Sequence, residues 1–140
     1  MSALTEDRDT KERHGDFVSL PVKAATLIYA GALVCLDSTS HAVPGATATT
    51  LISYGRAEAQ ADNSAGADAA INVRVRRGVF RFDNSASGDL ITMQHVGTDC
   101  YVVDDHTVAH TSGTSTRSVA GKVFDVDAEG VWVDTRVPGV

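Results

Sequence analysis

Between Ile71 and Asp83 the chain reads I-N-V-R-V-R-R-G-V-F-R-F-D, and apolar and polar positions alternate along most of it. Ile71, Val73 and Val75 share one face while Asn72, Arg74 and Arg76 share the other, the period-2 signature of a half-buried strand. After Arg77-Gly78 the alternation resumes, with Phe80 and Phe82 on one face and Arg81 opposite. Gly78 is expected to carry a positive φ, as a bulge or tight bend between two strand halves. A ribbon with one apolar face needs other strands to cover it. This stretch therefore reads as the centre of a small β-domain, with its arginines turned to water or to a partner.

The flanking pattern is also short and strand-like. Phe17 to Leu20 predicts a strand stopped or edged by Pro21. Thr26 to Leu36 predicts extended chain, which turns at Asp37-Ser38-Thr39-Ser40 into a brief return strand, His41 to Val43, ended by Pro44-Gly45. Leu51 to Arg56 predicts another strand, and Gln60 to Asp68 a polar loop. Asp89 to Val96 is open between a short helical turn and a strand. Cys100 to Val103 and Thr107 to Ala109 flank an Asp104-Asp105 turn. Gly121 to Val126 and Val131 to Val137 form a closing hairpin around Asp127 to Gly130. Eight to ten short strands with no βαβ pattern predict an all-β fold, a small barrel or sandwich spanning residues 17–140. Residues 1–16 hold almost nothing to bury beyond Leu4 and read as a flexible N-terminal arm, free or ordered against a partner.

At 140 residues the chain is long enough for one domain with a sizeable core. Hydrophobic content is 43% but aromatics only 6%, so the apolar mass is Val, Ala, Leu and Ile, which suits a sheet. A net charge of −6 argues against general attraction to nucleic acid or to an anionic membrane. No apolar segment reaches the ~20 residues of a membrane span, and the charged N-terminus has no secretory h-region, so the expectation is a soluble protein made in the cytoplasm. Cys35 and Cys100 lie in apolar strand contexts and read as buried free thiols, with one disulfide left open.

Candidate chemistry is sparse. There is no phosphate-loop, dinucleotide, zinc-protease, C-x-x-C or nucleophile-elbow motif. Asp125 to Gly130 mimics the start of a calcium loop, but position twelve is Arg136 where a bidentate carboxylate is needed, so it reads as an acidic hairpin turn. Cys100, His106 and His110 match no common zinc spacing. No metal and no cofactor are expected. Arg74, Arg76, Arg77 and Arg81 form the one basic concentration; a solvated face or a protein interface fits them better than nucleic acid.

The order of these features resembles the small capsid cement, or head decoration, proteins of tailed bacteriophages and prophages. The resemblance runs through Y-A-G-A-L-V-C-L-D with H-A-V-P-G, then S-Y-G-R-A-E-A-Q-A-D-N-S-A-G-A-D, then V-R-V-R-R-G-V-F-R-F. Gly97, Tyr101, Val102, Asp104 and Val108 match a later motif. The closing G-K-V-F-D-V-D-A-E-G-V-W-V is similar to versions in Mu-like transposable phages. It covers about Phe17 to Val133. The resemblance implies a β-tulip type of domain, a homotrimer at three-fold and local three-fold positions of the expanded head, and an arm that adds to a sheet of the major capsid protein. It implies a virion component on the outer head surface, without enzymatic activity, direct nucleic-acid contact or membrane. Interface residues expected on this reading are Leu4, Phe17, Arg74, Arg76, Arg77 and Arg81. The alternatives are another virion component, such as a tail or head–tail joining protein, or a small trimeric β-fold hydrolase using the Asp104-Asp105-His106 turn.

Overall fold

The computed structural model describes residues 2–13 and 15–136; the predicted end of the last strand at Val137 lies outside them. The fold is all-β. Among the described residues twelve strands follow in order: β1 (Phe17–Pro21), β2 (Thr26–Ile28), β3 (Leu33–Leu36), β4 (Ala42–Pro44), β5 (Ile52–Ala57), β6 (Ala61–Asn63), β7 (Asn72–Arg76), β8 (Val79–Phe82), β9 (Asp99–Val102), β10 (Val108–Ala109), β11 (Val119–Asp127) and β12 (Gly130–Asp134). They form one five-stranded sheet in the order β1-β7-β5-β3-β4, a second in the order β10-β9-β11-β12-β8, and a ribbon of β2 and β6. All pairs within these sheets are antiparallel. Neither five-stranded sheet closes on itself, so of barrel and sandwich the body is the sandwich.

The two hydrophobic clusters explain the layering. One joins Val18, Leu20, Ile28, Val34, Ala42, Ala57, Ala61, Val73 and Val75, and packs the β2–β6 ribbon on one face of the first sheet. The other joins Leu33 and Cys35 to Phe82, Ile91, Cys100, Val102, Val108, Val123, Val131 and Val133, and packs the second sheet on the opposite face. Strand β3 therefore alternates into both clusters, Leu33 and Cys35 one way and Val34 the other, and all three are fully buried. The second cluster draws on β3 and Val43 from the first sheet and on Leu51 just before β5, but on nothing from β1 or β7. Beyond it, the outer face of β1 and β7 carries Phe17, Arg74 and Arg76 instead.

Several expectations are corrected. The Ile71–Asp83 ribbon is not one continuous centre: β7 belongs to the first sheet and β8 is the edge of the second. Gly78 lies at that crossing without a positive φ. What fixes it is the buried Thr135, whose Oγ1 accepts from the Gly78 N–H (3.0 Å) and donates to the Gly78 carbonyl (2.8 Å). Thr26 to Leu36 is likewise split, because Gly31 (φ +86°) closes a Tyr29–Ala32 turn with Ala32 N–H on Tyr29 O at 3.2 Å. Gln60 to Asp68 holds a strand, β6, whose buried Asn63 donates to the carbonyls of Lys23 and Ala67 at 2.9 Å. Asp89 to Val96, open between a helical turn and a strand, takes the helical turn, a 3-10 turn at Met93–His95, after another that ends on Asp89, Ser87–Asp89. The Leu33–Leu36 and Ala42–Pro44 hairpin and the closing β11–β12 hairpin form as expected. Both cysteines are buried and free.

Candidate functional site

The arm has neither helix nor strand from Ser2 to Arg13 and is exposed throughout, with Leu4 at 71%. Its polar sequence offers no apolar stripe that could fold back on the body. It meets the body where the Arg77 N–H donates to the Asp16 carbonyl at 2.7 Å. Phe17 then opens β1, an edge strand that pairs only with β7. The register sets Phe17 opposite Arg76. The Arg74 guanidinium lies 4.3 Å from the centre of the Phe17 ring and that of Arg76 lies 5.4 Å away, so two cations cover one half-exposed aromatic face.

Next to this pair the surface steps down. The uncovered face of β5 and β7 meets the edge of the second sheet at β8, and the step forms a cleft of about 610 Å³. Five arginines line it: Arg56, Arg76, Arg77, Arg81 and Arg136. They are five of the chain's twelve lysines and arginines, gathered in one place on a protein of net charge −6. Aromatic rings hold four of them, Arg76 by its contact with Phe17 and three others by rings of the body. Arg56 lies 4.4 Å from the Phe80 ring centre, Arg77 4.4 Å from that of Tyr54, and Arg81 5.7 Å from that of Trp132.

Carboxylates at the rim offset part of this charge. Arg56 pairs with Glu58 at 2.7 Å, Arg81 with Glu129 at 3.2 Å and Arg136 with Asp134 at 3.1 Å. The Arg136 guanidinium holds the Asp134 carboxyl below the usual carboxylate range. Arg77 donates to the Thr135 carbonyl at 2.9 Å, while its Nε is buried without a hydrogen-bond partner. Among the described residues neither Arg74, Arg76 nor Arg77 has an ion-pair partner. Asp16 also lines the cleft, so five guanidiniums stand against four carboxylates, and the remaining positive excess centres on Arg76 and Arg77.

Of the six expected interface residues, five gather around the foot of the arm. Phe17, Arg74 and Arg76 share one stack, and Arg76, Arg77 and Arg81 share the cleft; Leu4 stands apart on the arm. Sequence reasoning missed Arg56 and Arg136. Arg56 arrives through its cross-strand pairing with Arg76, and Arg136 follows β12, which pairs with β8. In the sequence, the placement of Arg56 after Gly55 in the alternating stretch I-S-Y-G-R-A was the only available signal.

The other candidate cluster is an exposed turn. His106 Nδ1 lies 3.0 Å from Asp83 and its Nε2 3.6 Å from Asp104. Hydrogen bonding to Asp83 and the charge of Asp104 raise the imidazole above its ordinary pKa. Asp104, Asp105 and His106 come together there, but Cys100 and His110 do not join them. Cys100 is in the core, where desolvation pushes its thiol up to about 12. His110 stacks on His95 with ring centres 3.6 Å apart. Asp127 caps its hairpin turn, accepting from Glu129 N–H, Gly130 N–H and the Trp132 indole at 2.8–3.0 Å, as an acidic turn should.

Comparison with protein-family models, with curated proteins and with solved structures gives no match.

Proposed function

We propose that this protein is a phage head decoration protein, which attaches as a homotrimer to the major capsid protein and stabilises the expanded shell from outside. The observation that carries the reading is the exposed arm leading directly into an edge strand, with the Phe17–arginine stack at its foot. An arm exposed from Ser2 to Arg13 is suited to strand addition, where backbone hydrogen bonds give affinity with little demand on side chains. Three arms on one trimer multiply weak contacts by effective concentration. The role is mechanical and needs neither cofactor nor metal. The β-tulip assignment of the three-sheet body belongs with this reading.

The test is co-sedimentation with expanded heads that lack the protein, comparing the full chain with one beginning at Gly15. Saturable binding at about one copy per capsid subunit, lost when the arm is removed, is the expected result. Binding that survives truncation moves the contact to the arginine face. No binding to expanded heads overturns the reading and brings the joining-protein and hydrolase alternatives forward.

A further inference from the structure

The edge strand β8 is only partly covered. In an antiparallel pair, alternate residues direct their backbone groups to the partner strand and the others direct them away. The Thr135 N–H bonds the Gly78 carbonyl, which assigns Gly78, Phe80 and Phe82 to the β12 side and Val79, Arg81 and Asp83 to the outer side. At Asp83 the outer positions are filled from within the chain. Its N–H donates to His106 O at 2.7 Å, its carbonyl accepts from Val108 N–H at 3.0 Å, and Asp83 and Thr107 form a parallel bridge. Two and four residues earlier, Arg81 and Val79 make no backbone bond outside the β12 pair among the described residues. The edge already accepts a strand at one end, and the other end opens into the arginine cleft.

We infer that this vacancy is a docking groove for an extended acidic peptide segment of a partner protein, added as a strand beside Val79 and Arg81 with its carboxylates met by Arg76 and Arg77. The two requirements are separate and both are present. The open backbone groups of β8 recognise any extended chain, and the unpaired guanidiniums select one bearing acids two residues apart, which share a face of a strand. Arginine suits such a site because its planar fork binds a carboxylate through two parallel hydrogen bonds. A nucleic acid is the poorer fit: its sugar–phosphate backbone has no alternating amide donors and acceptors to pair with β8, and the rings of Phe80, Tyr54 and Trp132 already lie under guanidiniums instead of being open for base stacking. This groove accepts a strand, whereas the arm would donate one, so the inference stands without the decoration reading.

The experiment is fluorescence anisotropy on the full chain with a labelled octapeptide of alternating glutamate and valine. Saturable binding is expected, weakened at least tenfold when glutamine replaces glutamate and at least tenfold when the peptide is N-methylated along one edge. Arg76→Glu should lower affinity at least tenfold. Val79→Pro, which removes one outward donor from an edge strand, should do so with its circular dichroism unchanged. Four results overturn the inference: no binding, equal binding of the N-methylated peptide, tighter binding of oligothymidylate of the same charge, or tighter binding of a peptide of residues 2–13, which would give the groove to the arm of a second copy.

Discussion

Gly55 sits where β5 passes closest to β7, and replacing it with alanine tests how far the arginine cleft depends on that approach. A Cβ built at Gly55 would lie 2.3 Å from the Arg76 carbonyl oxygen and 3.0 Å from both the Arg76 carbonyl carbon and Val75 Cγ1. Ordinary carbon–oxygen contacts are about 3.3–3.6 Å, so the strands must part by about 1 Å. The obstacle is backbone, not the flexible end of a side chain, and β7 is held on its other side by five residue pairs to β1. Overpacking of this kind costs about 1–3 kcal/mol. Loss of the short Arg56↔Arg76 and Ala57↔Val75 pairing places Gly55→Ala at the upper end, about 3 kcal/mol. Urea unfolding monitored by Trp132 fluorescence measures the difference, with Gly88→Ala as the control. Nothing lies within 4 Å of a Cβ at Gly88, and its change should stay within about 0.5 kcal/mol. A Gly55→Ala protein within that same margin of the unmodified chain would show that the β5–β7 contact is not the constraint described.

Three further outcomes are expected. Burial pushes the Cys35 and Cys100 thiols up to about 12, so a thiol reagent at pH 8 should label neither in the native protein and both in urea; rapid native labelling of either contradicts the core placement. The His106 pKa is raised in the folded state, so its contribution to stability is complete below the unfolded value of about 6.5 and is lost as pH rises through the folded value. The stability difference between the unmodified chain and His106→Ala should therefore shrink from pH 5.5 to pH 9, and a constant difference would refute the Asp83 pairing. Asn63→Ala leaves the Lys23 carbonyl without its donor and should cost about 2–3 kcal/mol in the same urea assay.

Strands with clean alternation are legible in the sequence, as β7 and the β11–β12 hairpin show. β6 was not, because Ala-Asp-Asn has no apolar signature. It is a strand because small Ala61 packs with Ile28 and because Asn63 satisfies carbonyls of neighbouring loops. The Met93–His95 turn was left undecided against a strand because a histidine takes the place of the usual Glu or Gln in its capping box, with the Thr92 N–H on His95 Nδ1 at 2.9 Å. Arg76, Arg77 and Arg81 were visible as a cluster because they are neighbours in sequence. That they share a cleft with Arg56 and Arg136 depends on β7 and β8 separating into different sheets at Gly78, a crossing the continuous ribbon pattern concealed.

The burial of β3 on both faces ties the two halves of the body into one cooperative unit. Neither hydrophobic cluster can be opened to water without exposing a wall of the other, so the protein has no route to shedding one layer while keeping its neighbour intact. Its slowest-exchanging amides should lie in Leu33 to Cys35, opening only with global unfolding, while the arm exchanges at the rate of free peptide. Such a molecule responds to force or heat as a single rigid block on a pliant tether.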